Sequence, residues 1–165
     1  MFIDIVPDGS STPTTDGPIV EKKRIDSHRM LRQLNIERGA KILLLAVEND
    51  EDVSFLARRV SHQGELIVLD ADIDTLNRIE TRKRDGAYKS SKVTGEAIHT
   101  AFYPPERVDL PVSTAEFDGE SLQFPDSYFD AVWVSCWGVE TAVYPELIKQ
   151  ELYRVVRAGG LVAIY

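Results

Sequence analysis

The chain has a single cysteine, Cys136, among its 165 residues, which excludes an internal disulfide and suits a reducing compartment. Basic charge is also scarce: 19 Lys and Arg stand against 27 Asp and Glu, a formal charge of -8. That balance opposes the counterion release that drives nucleic-acid binding, so no nucleic-acid partner is expected. No apolar run approaches the roughly 20 residues of a membrane helix. The longest, Ile42 to Val47, is far shorter. The amino terminus lacks a basic-then-apolar secretory pattern, and the expectation is a cytoplasmic protein with no membrane partner. Metal-ligand spacing is missing as well: His28, His62 and His99 are scattered, and no metal site is expected. Repeats and low-complexity tracts are absent, and a chain of 18.5 kDa reads as one domain.

What is present divides at the start of the chain. Asp8 to Pro18 are crowded with Ser, Thr, Pro, Gly and Asp, so residues 1–18 read as a flexible lead-in and 19–165 as the folded domain. Ile25, Met30, Leu31 and Leu34 recur at helical spacing. Lys41 to Val47 is too short and too aliphatic for a helix, and suits a first strand buried on both faces. Asn49 or Asp50 then caps a helix carrying Val53, Phe55, Leu56 and Val60 on its buried side and stopping near Gly64.

Leu66 to Leu69 makes a second strand ending at Asp70, and Asp72 or Asp74 opens a helix that runs to about Arg84. Residues 85–109, broken by Gly86, Gly95 and Pro104-Pro105, read as an insertion with a short helix over Val93 to Phe102. The basic stretch Arg82, Lys83, Arg84, Lys89 and Lys92 reads as a solvated helix end without a role. Leu110 to Ala115 is a third strand and Ala131 to Ser135 a fourth. Pro145 opens a helix through Leu147, Ile148, Leu152 and Val155 that Gly159 and Gly160 end, and Leu161 to Tyr165 is a fifth strand. Alternating strands and helices give an α/β, Rossmann-like, doubly wound parallel sheet. Ligands in such sheets sit beyond the carboxyl ends of the strands, which directs attention to the loops at Val47, Asp70, Glu116 and Ser135.

Three stretches carry a family resemblance: Gly64-Glu-Leu-Ile-Val-Leu-Asp70, Asp118-Gly-Glu-Ser-Leu-Gln-Phe-Pro-Asp-Ser-Tyr-Phe-Asp130, and Glu151-Leu-Tyr-Arg-Val-Val-Arg-Ala-Gly-Gly-Leu-Val-Ala-Ile164. Together they resemble the class I S-adenosylmethionine-dependent methyltransferases, above all the branch of ubiquinone and menaquinone biosynthesis. The resemblance implies strand order 3-2-1-4-5. It also implies Asp70, with Ala71 beside it, at the cofactor's ribose, and Asp118 with Gly119 at the adenine amino group. Taken on its own, a strand-end Asp70 serves equally as a cap for the next helix, and Asp118-Gly119 as a turn. Ala46 and Ser135, at the ends of the first and fourth strands, complete the expected cofactor contacts.

Two departures from the family pattern shape the functional expectation. In Leu44-Leu-Ala-Val-Glu-Asn-Asp50, Leu44 stands where the family has an acid, and Ala46, Glu48 and Asp50 stand where it has glycines. Side chains there fill the approach path, and Glu48, Asp50, Glu51 and Asp52 repel the cofactor's carboxylate, so S-adenosylmethionine binding is expected to be weak or absent. The second departure is the lack of the family's closing antiparallel hairpin, which would leave Leu161 to Tyr165 as an open apolar edge. The resulting expectation is a degenerate methyltransferase-fold protein, a pseudoenzyme that works as a binding or partner subunit and forms an oligomer through that strand. The alternative is an active methyltransferase on a small-molecule acceptor. No catalytic set is visible; Cys136 and Trp137 read as a small buried hydrophobe and a pocket wall.

Overall fold

The chain is described from a computed structural model that covers residues 2–5, 36–91, 107–134 and 145–164. The helices expected over Ile25 to Leu34 and Val93 to Phe102 lie outside the described residues, as do Ser135, Cys136, Trp137, His28 and His99.

Strand β2 (Lys41–Leu45) sits in the middle of the sheet because its residues are apolar on both faces. Period-two alternation sends Ile42 and Leu44 to one side and Leu43 and Leu45 to the other. The first pair packs with Val53, Leu56 and Val60 of α1 (Asp50–Val60) and Ile79 of α2 (Ile73–Arg84). The second packs with Ile148, Leu152 and Val155 of α3 (Pro145–Val155). Helices therefore cover both faces, and each fully buried aliphatic side chain contributes about 2 kcal/mol of transfer free energy.

Beside β2 run β3 (Glu65–Asp70) and β7 (Phe129–Val134), both parallel to it. Outside β3 lies β6 (Val112–Glu116), and outside β7 lies β8 (Val156–Ile164), again parallel. These five strands realise the expected 3-2-1-4-5 order. Lys89–Ser91 (β4) and Arg107–Asp109 (β5) form a separate antiparallel pair within the stretch read as an insertion.

Three expectations are corrected. Order does not begin near Ile19: Phe2–Ile5 forms β1, antiparallel to β8 with Phe2 opposite Ile164 and Ile5 opposite Leu161. The unmet amide and carbonyl groups along β8 are what β1 pairs with, so the edge of Leu161 to Ile164 is not open but occupied by this same chain. Last, Gly159 and Gly160 do not end the helix. α3 stops at Val155, and both glycines lie inside β8, where the register with β7 slips between Phe129 and Ala131. Gly159 takes a left-handed φ of 73° there.

Candidate functional site

The sheet register gathers the expected site residues on one edge. Asp70 at the end of β3 lies opposite Glu116 at the end of β6, and Leu45 at the end of β2 lies opposite Leu69. The loops beyond are tied to neighbouring strands: Ala46 N–H donates to Leu69 O at 2.9 Å, and Phe117 N–H to Asp70 O at 2.9 Å. Ala46, Asp70 with Ala71, and Asp118 with Gly119 thus follow three adjacent strands at their carboxyl ends. The strand order reverses between β2 and β7, and the loop after β2 stands at that point. Ser135, which follows β7, lies outside the described residues.

Ala46 adopts φ 58°, a left-handed conformation that costs an L-residue about 1–2 kcal/mol and a glycine almost nothing. The loop therefore keeps a glycine's backbone shape with alanine in it. Ala46→Gly is expected to stabilise the protein by about 0.5 kcal/mol, the released strain being partly offset by unfolded-chain entropy. A rise in thermal midpoint of about 2 °C by circular dichroism would show it; a fall would contradict the left-handed assignment.

Asp70 is buried, and its carboxylate joins two loops: Oδ2 accepts from Val47 N–H at 2.8 Å and Oδ1 from Asp72 N–H at 2.9 Å. Each oxygen keeps acceptor capacity for a further donor. Asp70 does not cap the following helix. Asp72 does, accepting from Asp74 N–H at 3.0 Å and Thr75 Oγ1 at 2.8 Å, and the Thr75 bond first and the Asp74 bond second hold its carboxyl below the usual range.

Asp118 is exposed and makes the turn expected of it: Oδ1 accepts from Glu120 N–H at 2.8 Å and Ser121 N–H at 3.2 Å, while Gly119 takes φ 80°. Those two bonds hold its carboxyl low and keep it charged at neutral pH. One oxygen shapes the turn; the other accepts no hydrogen bond among the described residues.

The acidic first loop is less repulsive than its composition implies. Asp50 is engaged by Arg78 Nε at 3.0 and 3.1 Å and by Arg82 Nη1 at 3.1 Å, across the groove between α1 and α2. Asn49 caps α1 by accepting from Glu51 N–H at 2.9 Å. Asp52 is buried in the first turn of that helix. The basic stretch thus has a role after all, since Arg82 helps neutralise Asp50; Lys89 pairs with Asp109 at 3.6 Å.

On α3, Glu151 takes two hydrogen bonds from Arg154, at 2.7 and 2.6 Å, and accepts Leu122 N–H at 3.3 Å. The Arg154 guanidinium, ahead of the other groups around it, holds the Glu151 carboxyl below its ordinary value of 4.5. A depressed carboxyl contributes stability that is complete above the unfolded value and lost as the pH falls through the folded one. Urea unfolding between about pH 5 and pH 3 is therefore expected to weaken the unaltered protein more steeply than Glu151→Gln; parallel slopes would contradict the pairing.

A cavity of about 330 Å³ opens at the opposite edge, lined in part by Arg38, Gly39, Asp130, Arg157 and Leu161. Of its two acids, Glu37 and Asp130, the second is already committed, since Asp130 accepts from Lys41 N–H at 2.7 Å and pairs with Arg157. The amino ends of β2 and β7 border it, away from Asp70 and Asp118. No group of three potential metal ligands and no helix long and apolar enough to cross a membrane occurs among the described residues.

Comparison with known proteins bears on the family and the fold. Residues 51–164 match the family described as methyltransferase domain, a match that begins just past the altered first loop. The chain is 28% identical over 141 residues to the ubiquinone/menaquinone biosynthesis C-methyltransferase UbiE of Neisseria gonorrhoeae, covering 86% of this chain and 48% of that protein. It thus spans about half the length of the curated relatives it matches. Among solved structures, a SAM-dependent methyltransferase from Aquifex aeolicus superposes with TM-score 0.61 at 16% identity, covering 84% of this chain and 62% of the other. The cyclase SpnF superposes with TM-score 0.60 at 16% identity, over 84% of this chain and 43% of its own. At such identities the likeness establishes the fold and not the reaction.

Arg78, Arg82, Glu151 and Arg154 went unmarked as site residues in the sequence. The available signals were spacings that share one face of a helix, three between Glu151 and Arg154 and four between Arg78 and Arg82.

Proposed function

Because the chain belongs to the methyltransferase domain family, within the class I S-adenosylmethionine-dependent methyltransferases, we propose that it holds the adenosyl end of that cofactor between Asp70 and Asp118 and serves methyl transfer to a small-molecule acceptor. The observation that carries this reading is the meeting, at three adjacent strand ends, of a left-handed Ala46, a buried Asp70 and a charged Asp118 with one uncommitted oxygen. The group fits what is there. Asp70 has acceptor capacity for ribose hydroxyls, and the outer oxygen of Asp118 for an exocyclic amine. When bound, the cofactor supplies an electrophilic methyl group; positioning an acceptor against it is the main task left to the protein.

A second reading, a non-catalytic binding or partner subunit, is favoured by one observation. Leu44 is fully buried where the family pattern has an acid, which removes a carboxylate anchor for the methionine ammonium. That reading has lost one support, because β1 covers the strand edge through which a partner was expected to pair.

Calorimetric titration with S-adenosylmethionine and S-adenosylhomocysteine, with Asp118→Ala as control, separates the two. Binding in the range of about 10–100 μM, weakened roughly tenfold in the variant, is the expected result. No heat at about 1 mM ligand would contradict it and leave the partner reading.

A further inference from the structure

Leu122 and Phe124, in the loop between β6 and β7, are tied through their carbonyl groups to Arg154 of α3. Arg154 has five N–H donors, and all five are used. Nε and one Nη2 donor go to Glu151 at 2.7 and 2.6 Å, and the other Nη2 donor goes to Leu122 O at 2.8 Å. The Nη1 pair goes to Phe124 O at 2.8 Å and Asp126 Oδ1 at 2.7 Å. The backbone of the same residue adds a further tie, Ser127 N–H donating to Arg154 O at 2.9 Å.

The loop is therefore gripped along Leu122 to Ser127. Leu122 is buried, and Phe124 packs edge-on against Phe129 with ring centres 5.0 Å apart. On its other side Phe117 is buried and bonded to Asp70 O. The Asp118 turn lies between these two fixed points, its last bond reaching Ser121, the neighbour of Leu122. A planar fork with five donors can satisfy two carbonyls and two carboxylates together; an ammonium with three cannot.

We propose that Arg154, oriented by Glu151, is the positioning residue of the Asp118 loop, fixing the turn that presents the Asp118 carboxylate at the sheet edge. It touches no cofactor atom in this role and acts through Leu122 and Phe124. The consequence for cofactor binding rests on the function proposed above, whereas the consequence for the loop does not.

Hydrogen exchange on the full chain tests it, comparing the unaltered protein with Arg154→Lys and with Glu151→Gln. In Arg154→Lys, which keeps the charge, the amides of Glu120, Ser121, Leu122 and Phe124 are expected to exchange at least about tenfold faster while those of Leu43, Leu44 and Val68 keep their rates. Glu151→Gln, which retains one acceptor, is expected to shift the same amides less. Titration with S-adenosylhomocysteine should show a Kd weakened by about tenfold in Arg154→Lys and by less in Glu151→Gln, with Asp118→Ala adding little on top of Arg154→Lys, because the two changes act through one turn. Unchanged exchange at Ser121 and Leu122, or an increase spread evenly over the sheet, overturns the proposal. Failure of the unaltered protein to bind S-adenosylhomocysteine overturns the cofactor reading instead, and exchange alone then decides the positioning role.

Discussion

Replacing Gly64 by alanine is expected to cost the fold about 3 kcal/mol, seen as a fall of about 10 °C in thermal midpoint. The methyl group would run into Ala40 O, and would lie 2.8 Å from Val60 Cβ and 2.9 Å from Val60 O. Two of these three contacts are backbone, so relief requires moving the end of α1 or the entry to β2. Both are pinned there, with Gly39 N–H bonded to Val60 O at 2.9 Å and Glu65 N–H to Ala40 O at 3.0 Å. Gly159→Ala is the control. Its φ of 73° carries the left-handed penalty of about 1 kcal/mol, but no atom lies within 4 Å of the added methyl. Equal losses for the two variants would mean that the close approach at Gly64 is not what the residue is there for.

Asp70→Ala is expected to cost about 2 kcal/mol in urea unfolding and to abolish cofactor binding. The stability loss follows from stranding two partly buried donors, Val47 N–H and Asp72 N–H, whose acceptor distances are now 2.8 and 2.9 Å. The binding loss follows from removing the acceptor proposed for the ribose and, with it, the bond that holds the first loop to β3. Asp70→Asn keeps an acceptor for one of the two donors and should lose about half as much stability while binding stays impaired. A variant as stable as the unaltered protein would contradict the bridging geometry; full retention of binding would contradict the ribose assignment.

The parallel core was legible because each of its strands is short, aliphatic and bounded by turn residues, as in Ile42 to Leu45 and Leu66 to Leu69. Helix starts were legible for a related reason. Asn49 and Asp72 are acceptor side chains set just ahead of an amphipathic run, and both cap as that pattern implies. The position of Asp70 and Asp118 on one edge followed from strand direction and a family resemblance.

What the sequence did not disclose depends on contacts between distant segments. Nothing in Phe2-Ile-Asp-Ile5 says that it will pair with Leu161 to Ile164, because an edge strand is recognised by a partner the local pattern does not contain. The neutralisation of Asp50 by Arg78 and Arg82 depends on how α1 packs beside α2, across separations of 28 and 32 residues. Those pairs soften the charge argument against cofactor binding, and Ala46 softens the steric one by holding the bend a glycine would make. The Gly159-Gly160 pair misled in the other direction: it reads as a helix stop, yet it serves a slipped register between two strands.

The central claim is that the carboxyl edge of the sheet holds the adenosyl end of the cofactor. Its most direct test is a titration of isotopically labelled protein with S-adenosylhomocysteine, followed by amide chemical shifts. The account predicts concentration-dependent shifts at Ala46, Val47, Ala71, Asp72, Gly119 and Glu120. Shifts confined to Arg38 to Ala40 and Arg157 to Leu161 around the opposite cavity, or none at about 1 mM ligand, would contradict it.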